Sequence, residues 1–410
     1  MAQSYGCLFF RYDRNLELSV STGHPELVAV IADEISASGP IPFVRFMEVA
    51  LYHPQLGYYM RAPEGTSEKI GPRGDFYTSS DVHPILGQAL AKQAEQMYRL
   101  LGHPDQFTVV ELGPGKGLLA GHFLSACRRD FPPLYQHLRY VLIDRSPAMR
   151  DLQHKHLATW LDQPHLLTWA DDLENLASDS MTGLFLSNEL IDSFPVHRIQ
   201  VTADGAEELW VDYRDGRFVE CLRALSSESL TDHVRRIKAD WPVGYRTEIN
   251  LHALRWMKQV AHILNRGFVL TIDYGHTAQD LYRPDRKGGT FLCYSRQSVN
   301  EEPFLRVGDQ DMTAHVDFTS LALAGKEHGL QTTGFTNQLS FLMGLGVEHM
   351  IEQLEQDSPQ FKAAVHLLKP QGMGTTFKVL AQHKGIVNPE LDGLKYKPFF
   401  GSALTTQSAA

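Results

Sequence analysis

The chain has 410 residues, 43% of them hydrophobic and 21% charged, a composition typical of globular proteins and enough for one large α/β domain or two domains. Its formal net charge of −10 comes without a basic stripe, so nucleic acid is a poor electrostatic partner, and no apolar run reaches the length of a membrane span. The four cysteines lie far apart without a C-x-x-C pair, which argues against a disulfide framework or structural zinc site and favours a reducing compartment.

The N-terminal quarter is predicted to be helical after a featureless start. Residues 1–24 have no strong hydrophobic period and no clean signal peptide, so we expect a flexible lead-in and leave a role in organelle targeting open. Residues 25–104 form an N-terminal helical segment. It begins with a helix that Gly39-Pro40 stops, continues with an aromatic-rich helix within residues 41–60, and ends with a long helix that leads into the glycine-rich stretch described below.

A polar loop at residues 71–87, GPRGDFYTSSDVHPILG, precedes that long helix. Asp75, Thr78 and Ser79 crowd it with carboxylate and hydroxyl groups. One interpretation is a surface loop with helix-capping residues. The alternative is a lid that folds over a ligand site and contributes these three side chains, because the next helix leads directly into the glycine strand.

The centre of the sequence is VVELGPGKG at residues 109–117. Apolar residues lead into Glu111, and Gly113, Gly115 and Gly117 alternate before a helix-compatible run, which predicts a strand, a tight turn and a helix. The N–H groups at such a helix start bind polar or anionic ligand atoms, although a plain tight turn is the alternative. The spacing differs from the dinucleotide-binding G-x-G-x-x-G and disfavours a nicotinamide-dependent dehydrogenase.

Acidic residues follow the next two predicted strands, at residues 140–143 and 165–169. Open α/β sheets bind ligands at the carboxyl ends of their strands. Asp144 is therefore placed to bind ribose hydroxyls, with an ordinary surface acid as the alternative. One of Asp171 and Asp172 could reach an adenine amino group, while the other caps a helix.

The fourth strand, at residues 183–187, runs into NELIDSFPV. Asn188, Glu189 and Asp192 thus stand at the carboxyl end of a strand, where ligands bind. A structural role is the alternative: Asn188 would cap the next helix, and Glu189 would hold an amino group of the cofactor.

Two insertions interrupt a domain that spans residues 105–384. Residues 196–247 alternate between apolar and polar and predict an antiparallel β-meander, whereas residues 276–315 predict a loop-rich insertion. A tail follows at residues 385–410. The remaining predicted elements are helices over 252–264, 318–328 and 339–368, and strands at 268–275, 330–336 and 375–382.

Eight separated stretches of residues 27–383 resemble the MidA group of S-adenosylmethionine (SAM)-dependent methyltransferases. They are IPFVRFMEVALYHPQLGYY, GDFYTSSDVHP, ELGPGKG, NELIDSFPV, IDYG, GTFLCYSR, DMTAHVDF and GMGTTFKVL. The group usually has TSPE where this chain has TSSD, which keeps a hydroxyl and an acid but loses the rigid proline. The resemblance implies an α/β class I methyltransferase fold, a Rossmann-like sheet with the N-terminal helical and lid segment and with a substrate lobe built from the two insertions.

The resemblance also implies the activity and the cofactor, SAM. The mitochondrial members of the group symmetrically dimethylate an arginine in a complex I subunit, so the expected partner is a protein substrate carrying an arginine, with a respiratory complex subunit as one candidate. The alternatives are a SAM-binding assembly factor with weak catalysis and a small-molecule methyltransferase. The predicted cofactor-binding residues are Asp75, Thr78, Ser79, Glu111, Gly113, Gly115, Gly117, Asp144, Asp171, Asp172 and Asn188.

Location and assembly follow from the same reasoning. Without an evident transit segment, we expect a bacterial cytoplasmic protein, or a mitochondrial one if the source is eukaryotic. We expect no nucleic-acid partner and no membrane-spanning segment. The oligomeric state is open, and a homodimer is one of the alternatives.

An arginine acceptor determines the catalytic chemistry that the site needs. Its guanidinium is cationic, and carboxylates bind the planar fork in a bidentate manner. Glu189 and Asp192 are therefore the candidate catalytic residues, and Asp75 and Asp273 come second. His315 is a candidate proton acceptor, with a structural histidine as the alternative. Methyl transfer requires no metal, and the sequence indicates no metal site.

Overall fold

The computed structural model describes residues 11–12, 23–62, 69, 71, 74–75, 79–237, 240–370, 372–396 and 404. The α-helices in these residues are α1 (Pro25–Ser38), α2 (Phe43–Tyr52), α3 (Ser79–Val82), α4 (Ile85–Leu100), α5 (Leu118–Asp130), α6 (Pro132–His137), α7 (Pro147–His156), α8 (Glu228–Ile237), α9 (Leu251–Ile263), α10 (Ala278–Leu281), α11 (Phe318–Glu327), α12 (Gln338–Gly344), α13 (Val347–Glu352), α14 (Pro359–Leu368) and α15 (Met373–Thr376). Within the described ranges, none of the helices is both long and apolar enough to cross a membrane.

The strands are β1 (Arg11–Tyr12), β2 (Ile41–Pro42), β3 (Phe107–Leu112), β4 (Leu138–Ile143), β5 (Leu167–Ala170), β6 (Met181–Asn188), β7 (His197–Thr202), β8 (Gly205–Arg214), β9 (Arg217–Arg223), β10 (Arg246–Ile249), β11 (Leu264–His276), β12 (Leu292–Ser295), β13 (Ser298–Asn300), β14 (Asp311–Thr313), β15 (Val316–Asp317), β16 (Gln331–Asn337) and β17 (Phe377–Lys384). Short 3₁₀ helices lie at Ala158–Trp160, Leu173–Asn175, Ile191–Ser193 and Asp392–Leu394.

The central sheet has the strand order β16-β17-β11-β6-β3-β4-β5, and β15 also pairs with β11. Strands β5, β4, β3, β6 and β11 are parallel, whereas β17 is antiparallel to both β11 and β16. Because β3, β4, β6 and β11 are parallel, their carboxyl ends meet at one end of the sheet. This end is the position at which open α/β sheets bind ligands.

Helices cover both faces of this sheet, which explains why its inner strands are mainly apolar. All six residues of β3 are buried. Successive residues of a strand point to opposite faces, and Val109 accordingly packs with the core residues of α4, α5 and α12, while Val110 packs with those of α9 and α11. The predicted α/β layering is therefore present.

The first insertion forms an antiparallel sheet in the order β10-β7-β8-β2, with β9 paired to β8. Strands β7, β8 and β9 form the meander predicted for residues 196–247. Two features were not predicted: helix α8 within the insertion, and pairing of β2 from the N-terminal segment with β8. The core of this region joins α1 and α2 to both insertions through residues such as Phe43, Phe46, Val211, Phe218 and Met312.

The second insertion is more regular than the loop-rich segment expected for residues 276–315. Strands β12, β13 and β14 form a small antiparallel sheet, and β1 adds to β13 in parallel. Arg296 and Gln297 connect β12 to β13 with φ values of 50° and 59°, which is the backbone geometry of a two-residue hairpin turn. These strands are two to four residues long, too short to produce a clear period-two pattern.

The predicted helix over 339–368 is wrong as a single element. The structure divides it into α12, α13 and α14, because Gly346 has a φ of 75° and Ser358-Pro359 begins a new helix.

The tail also has order where it is described. Gly393 donates its backbone N–H to Gln93 Oε1 at 3.0 Å, and Leu391 is buried in the core.

Candidate functional site

A cavity of about 1090 Å³ opens at the carboxyl ends of the parallel strands. The central sheet, the second insertion, α2 with its following turn, and the α14–α15 region all contribute to its wall, whereas no residue of the first insertion, 196–247, is among the described lining residues. Among the residues that line it are Tyr52, Tyr59, Glu111, Gly113, Gly115, Asp144, Asp172, Asn188, Glu189, Asp192, Trp256, Tyr274, Tyr294, Asp311, His315 and Phe377.

The three glycines shape the turn between β3 and α5. Gly113, Gly115 and Gly117 have φ values of 65°, 52° and 80°, a backbone region that side chains with a Cβ rarely occupy. A Cβ at Gly113 would lie 2.7 Å from Leu190 Cδ1, whereas a Cβ at Gly115 would meet no atom within 4 Å. Gly115 therefore leaves open space beside the cavity, and Gly117 is the N-cap of α5.

Asp144 lies at the end of β4 in a well-defined hydrogen-bond network. Its Oδ1 accepts the N–H of Ser146 at 2.8 Å, and its Oδ2 accepts Gln153 Nε2 at 2.8 Å. Gln153 also donates to the carbonyl oxygen of Gly115 at 2.8 Å and accepts the Trp169 indole N–H at 2.9 Å. Burial raises the pKa of Asp144 to about 6 against the opposing effect of these hydrogen bonds. Asp144 is thus fixed to the glycine turn.

The two acids after β5 have different environments. Asp172 caps the 3₁₀ helix Leu173–Asn175 in a capping box, pairs with Arg145, and lines the cavity. The Asp171 side chain is 78% exposed and pairs with Arg150 at 2.5 Å, and it is not among the described residues that line the cavity. Asp172 therefore has the helix-capping role that the sequence offered for one of the pair.

Glu111 closes the end of β3 below the glycine turn. Its side chain is buried and accepts the Tyr140 hydroxyl at 2.8 Å. Burial raises the pKa of Glu111 to about 7, while the hydrogen bond from Tyr140 lowers it.

Glu189 connects the lid segment to the end of β6. Its Oε1 accepts the backbone N–H of Ser79 at 2.7 Å and Asn188 Nδ2 at 3.1 Å. Glu189 has a φ of 55°, an uncommon conformation for a residue with a Cβ, and this turn lets β6 end at the cavity wall. Burial, followed by the nearby charge of Asp192, raises its pKa to about 8 although the Ser79 and Asn188 hydrogen bonds oppose the shift.

Asp192 and Asp273 have different roles although both are buried. Asp273 Oδ2 accepts the backbone N–H groups of Leu190, Ile191 and Asp192 at 2.9–3.3 Å and so fixes the turn after β6. Asp192 accepts the hydroxyl of Tyr274 on Oδ2, while its Oδ1 is buried without a partner. Of the two carboxylates, Asp192 is the one with an oxygen left to bind a ligand.

Asp311 brings the second insertion to the cavity. It is 2% exposed, and its Oδ1 accepts the Tyr59 hydroxyl at 2.6 Å and the N–H of Met312 at 2.9 Å. Burial raises its pKa to about 7, against the effect of the Tyr59 hydrogen bond. Tyr59 stacks on Tyr52, whose hydroxyl lies 2.9 Å from Ser193 Oγ.

Asp75 lies outside the cavity lining among the described residues, contrary to the expectation of a cofactor contact. Its Oδ2 accepts the Tyr58 hydroxyl at 2.8 Å, and its Oδ1 accepts the Arg296 N–H at 2.6 Å. The carboxylate therefore fastens the lid segment to the β12–β13 turn. Thr78 lies outside the described residues.

His315 contributes an imidazole to the cavity wall. Its ring lies 5.4 Å from that of Tyr274 and 5.2 Å from that of His276, and its buried Nδ1 has no partner. Burial lowers its pKa to about 3, so the ring is neutral at physiological pH. Among the described residues, no cluster of three or more histidines, cysteines and acids is arranged to hold a metal ion.

The structure thus brings Glu111, Gly113, Gly115, Asp144, Asp172 and the Asn188–Asp192 segment to one cavity, with Ser79 bonded to Glu189. Gly117 caps α5 and is not among the described residues that line the cavity. Sequence reasoning missed Gln153, Tyr59 and Asp311. Gln153 is a buried polar residue in a helix, a pattern without a functional signal. Asp311 belongs to DMTAHVDF, one of the stretches on which the family resemblance rests. The resemblance assigned no role to this acid.

Comparison with known proteins identifies methyltransferases. A family model described as "Putative S-adenosyl-L-methionine-dependent methyltransferase" matches residues 89–336, more than half of the chain. "Protein arginine methyltransferase NDUFAF7 homolog, mitochondrial" of Drosophila melanogaster is 28% identical over 400 residues, which cover 90% of this chain and 88% of the relative. Human "Protein arginine methyltransferase NDUFAF7, mitochondrial" is 26% identical over 381 residues, 85% and 81% of the two chains.

Solved structures show the same fold. A COG1565 superfamily member from Burkholderia thailandensis, bound to S-adenosyl-homocysteine, is similar with a TM-score of 0.81 and 30% identity, over 92% of this chain and 97% of that one. A native structure of a COG1565 superfamily protein from the same organism has a TM-score of 0.79 and 29% identity, over 92% and 98%. These similarities confirm the predicted class I methyltransferase fold.

Proposed function

The chain belongs to the family of SAM-dependent methyltransferases, and from this premise we propose that it methylates arginine on a partner protein. The observation that carries the proposal is the carboxylate wall of the cavity. Glu189, Asp192 and Asp311 all line it, and it adjoins the glycine turn. A guanidinium is the planar cation that carboxylates bind through paired hydrogen bonds.

The residues around the glycine turn suit SAM. Gly115 offers open space beside a left-handed backbone, Asp144 offers a carboxylate held by Gln153, and the buried Oδ1 of Asn188 has no partner. We assign ribose binding to Asp144 and recognition of the amino acid end to Asn188. Bound SAM supplies a methyl group on a positively charged sulfur.

The carboxylate wall suits the acceptor. Burial raises the pKa of Glu189 to about 8, with a further contribution from the charge of Asp192, and burial raises the pKa of Asp192 to about 6. A bound cation relieves this cost and favours the ionised carboxylates. The protein's part is to orient the acceptor nitrogen, to keep out water and to accept the proton that this nitrogen loses.

The relatives' names agree with an arginine acceptor, since the similar fly and human proteins are called protein arginine methyltransferases. We extend the proposal to symmetric dimethylation and to a respiratory complex subunit as acceptor, both from the resemblance to the MidA group. For location, those two relatives are named mitochondrial. We propose the bacterial cytoplasm for this chain if its source is bacterial, which cell fractionation tests.

The proposal is tested by identifying the methyl acceptor. Purified protein is incubated with methyl-labelled SAM and a lysate of source cells that lack the gene, and the labelled residue is located by mass spectrometry. We expect methylarginine in a protein. Glu189→Gln should lower the rate by about 10²-fold with SAM binding retained, because it removes a charge next to the reacting group. Glu355→Gln, on an exposed loop, is the control and should be unchanged.

The other outcomes discriminate between functions. Methyl groups on lysine, on a carboxyl group or on a metabolite would contradict the arginine acceptor while leaving SAM binding intact. SAM binding without any labelled product would instead support an assembly factor that has kept the cofactor site.

A further inference from the structure

Two carboxylates in the cavity are each paired with a tyrosine. Tyr274 donates to Asp192 Oδ2, and Tyr59 donates to Asp311 Oδ1 at 2.6 Å. The pairs come from different parts of the chain: Asp192 follows β6 and Tyr274 lies in β11 of the central sheet, whereas Asp311 begins β14 in the second insertion. Each tyrosine fixes the orientation of its carboxylate and occupies one of its oxygens.

The second oxygen of each carboxylate is left for a ligand. Asp192 is 5% exposed, and its Oδ1 is buried without a hydrogen-bond partner. Both hydrogen bonds to Asp311 from the described residues end on Oδ1, so Oδ2 accepts neither of them. Asp192 Oδ1 is a buried carboxylate oxygen without a donor, which is costly, and a bound donor removes that cost.

The backbone holds the two carboxylates in one unit. Ala314 donates its N–H to the carbonyl oxygen of Asp192 at 2.9 Å, which joins the segment after β14 to the turn after β6. Asp311 and Asp192 both line the cavity, and the charge of Asp192 raises the pKa of Asp311.

From this arrangement we propose that Asp311 contacts the substrate and, opposite Asp192, holds the guanidinium of the acceptor arginine. The inference rests on the proposed arginine acceptor and assigns a specificity residue to it. The inserted lobe then contributes a charge to the site in addition to its role in covering it.

Two oriented carboxylates select a guanidinium over an ammonium. Arginine offers five donors in a planar fork, and it can bond two carboxylates along separate edges. Lysine has one compact charge and would leave one carboxylate buried without a cationic partner. The stacked rings of Tyr52 and Tyr59, with centroids 5.5 Å apart, add an aromatic wall next to Asp311 on which a delocalised cation packs well.

Electrostatics support the assignment. The charged groups that influence Asp311 are Asp192 and Asp75, both acidic, so its neighbours raise its pKa further. A cation held between Asp192 and Asp311 compensates this excess of negative charge.

The test measures binding of a minimal probe to the full chain saturated with S-adenosyl-homocysteine. The probes are Nα-acetyl-arginine methylamide and the matching lysine compound, followed by NMR or calorimetric titration. We expect the wild type to prefer the arginine probe by at least about tenfold. Asp311→Asn keeps an oxygen for the Tyr59 and Met312 donors but removes the charge, and it should weaken arginine binding by about 10- to 100-fold. Tyr59→Phe should weaken it by a smaller factor, because the carboxylate keeps its charge but loses its orientation.

Asp309→Asn is the matched control. Asp309 lies two residues away and pairs with Arg61 at the surface, so its loss should leave probe binding unchanged. Each variant's affinity for S-adenosyl-homocysteine, expected at the wild-type value, shows that the fold and cofactor site are intact. Wild-type affinity of Asp311→Asn for the arginine probe would overturn this inference alone. A wild-type preference for the lysine probe would overturn the arginine acceptor itself.

Discussion

Gln153 donates through Nε2 to Asp144 Oδ2 at 2.8 Å, and the same nitrogen lies 2.8 Å from the carbonyl oxygen of Gly115. One buried amide thus joins the acid proposed to bind ribose to the glycine turn. Gln153 is 0% exposed, and its own Oε1 is satisfied by the Trp169 indole at 2.9 Å. Asp144 and the glycine turn, two parts of the proposed SAM site, therefore depend on a side chain that lies behind them.

We predict that Gln153→Met weakens SAM binding by about tenfold, or ~1.4 kcal/mol, because Asp144 loses a charge-assisted hydrogen bond while the volume is retained. The pKa of Asp144 should also rise above its value of about 6, since burial raises it and the Gln153 hydrogen bond lowers it. SAM affinity measured by calorimetry should then fall off at a higher pH than in the wild type.

The control for this variant is Gln163→Met, whose side chain accepts only the Tyr135 hydroxyl among the described residues, at 3.3 Å. It should bind SAM normally at every pH. A Gln153→Met variant with the wild-type affinity and pH profile would show that the amide does not position Asp144.

Gly115→Val should abolish SAM binding. A β-branched residue resists a φ of 52°, and its methyl groups would enter the space beside the cavity, where a Cβ has no neighbour within 4 Å. Gly102→Val is a matched control, because Gly102 has a φ of 77° and equally open surroundings but lies outside the described cavity lining. Calorimetry showing unchanged SAM affinity in folded Gly115→Val would refute the assignment of this turn.

The parts of the site that the sequence predicts are those with a local signature. The glycines require left-handed backbone, and Asp144 and Glu189 follow apolar strand segments. Because parallel strands end at the same end of a sheet, their grouping in space follows from the βα alternation. The same reasoning predicts most of the central sheet, whose strands are buried on both faces.

The rest depends on tertiary contacts that leave no local pattern. Asp75 belongs to a polar loop of the expected kind, yet its carboxylate binds Tyr58 and the backbone of Arg296, more than two hundred residues away. Asp311 meets Tyr59 across a similar separation. Pairing of β2 with β8 involves only two residues of β2 and has no periodic signal.

The lid remains a prediction, and hydrogen exchange tests it. We expect peptides covering residues 71–87 to exchange more slowly when SAM or S-adenosyl-homocysteine is added, because the Ser79 N–H already bonds Glu189 at the cavity wall. Peptides from β8 and β9, which are not in the described cavity lining, provide the control and should not change. Equal exchange over residues 71–87 with and without cofactor would leave the segment as an ordinary surface loop.

The acceptor side of the site should be sensitive to pH near neutrality. The pKa of Glu189 is raised to about 8, that of Asp311 to about 7 and that of Asp192 to about 6, mainly by burial. Below these values the carboxylates of the free enzyme take up protons and lose the charge that binds a guanidinium, whereas arginine itself stays protonated. Protonation therefore opposes acceptor binding, and the effect ends once pH exceeds the pKa of Glu189.

We predict that kcat/KM for the acceptor, which reports the free enzyme, rises about tenfold per pH unit between pH ~7 and pH ~8 and is then level. Below pH ~7 the slope should be steeper, because Asp311 and then Asp192 also take up protons. The rise of kcat with pH should occur at lower pH than the rise of kcat/KM, because the bound cation stabilises the ionised carboxylates. In Glu189→Gln the rise of kcat/KM near pH 8 should disappear. A weaker pH dependence of kcat/KM, caused by Asp311 and Asp192, should remain at lower pH. Initial rates at pH 5.5–9 with constant ionic strength measure both profiles. A wild-type kcat/KM that is flat between about pH 6 and pH 8 would show that an ionised Glu189 is not required to hold the acceptor.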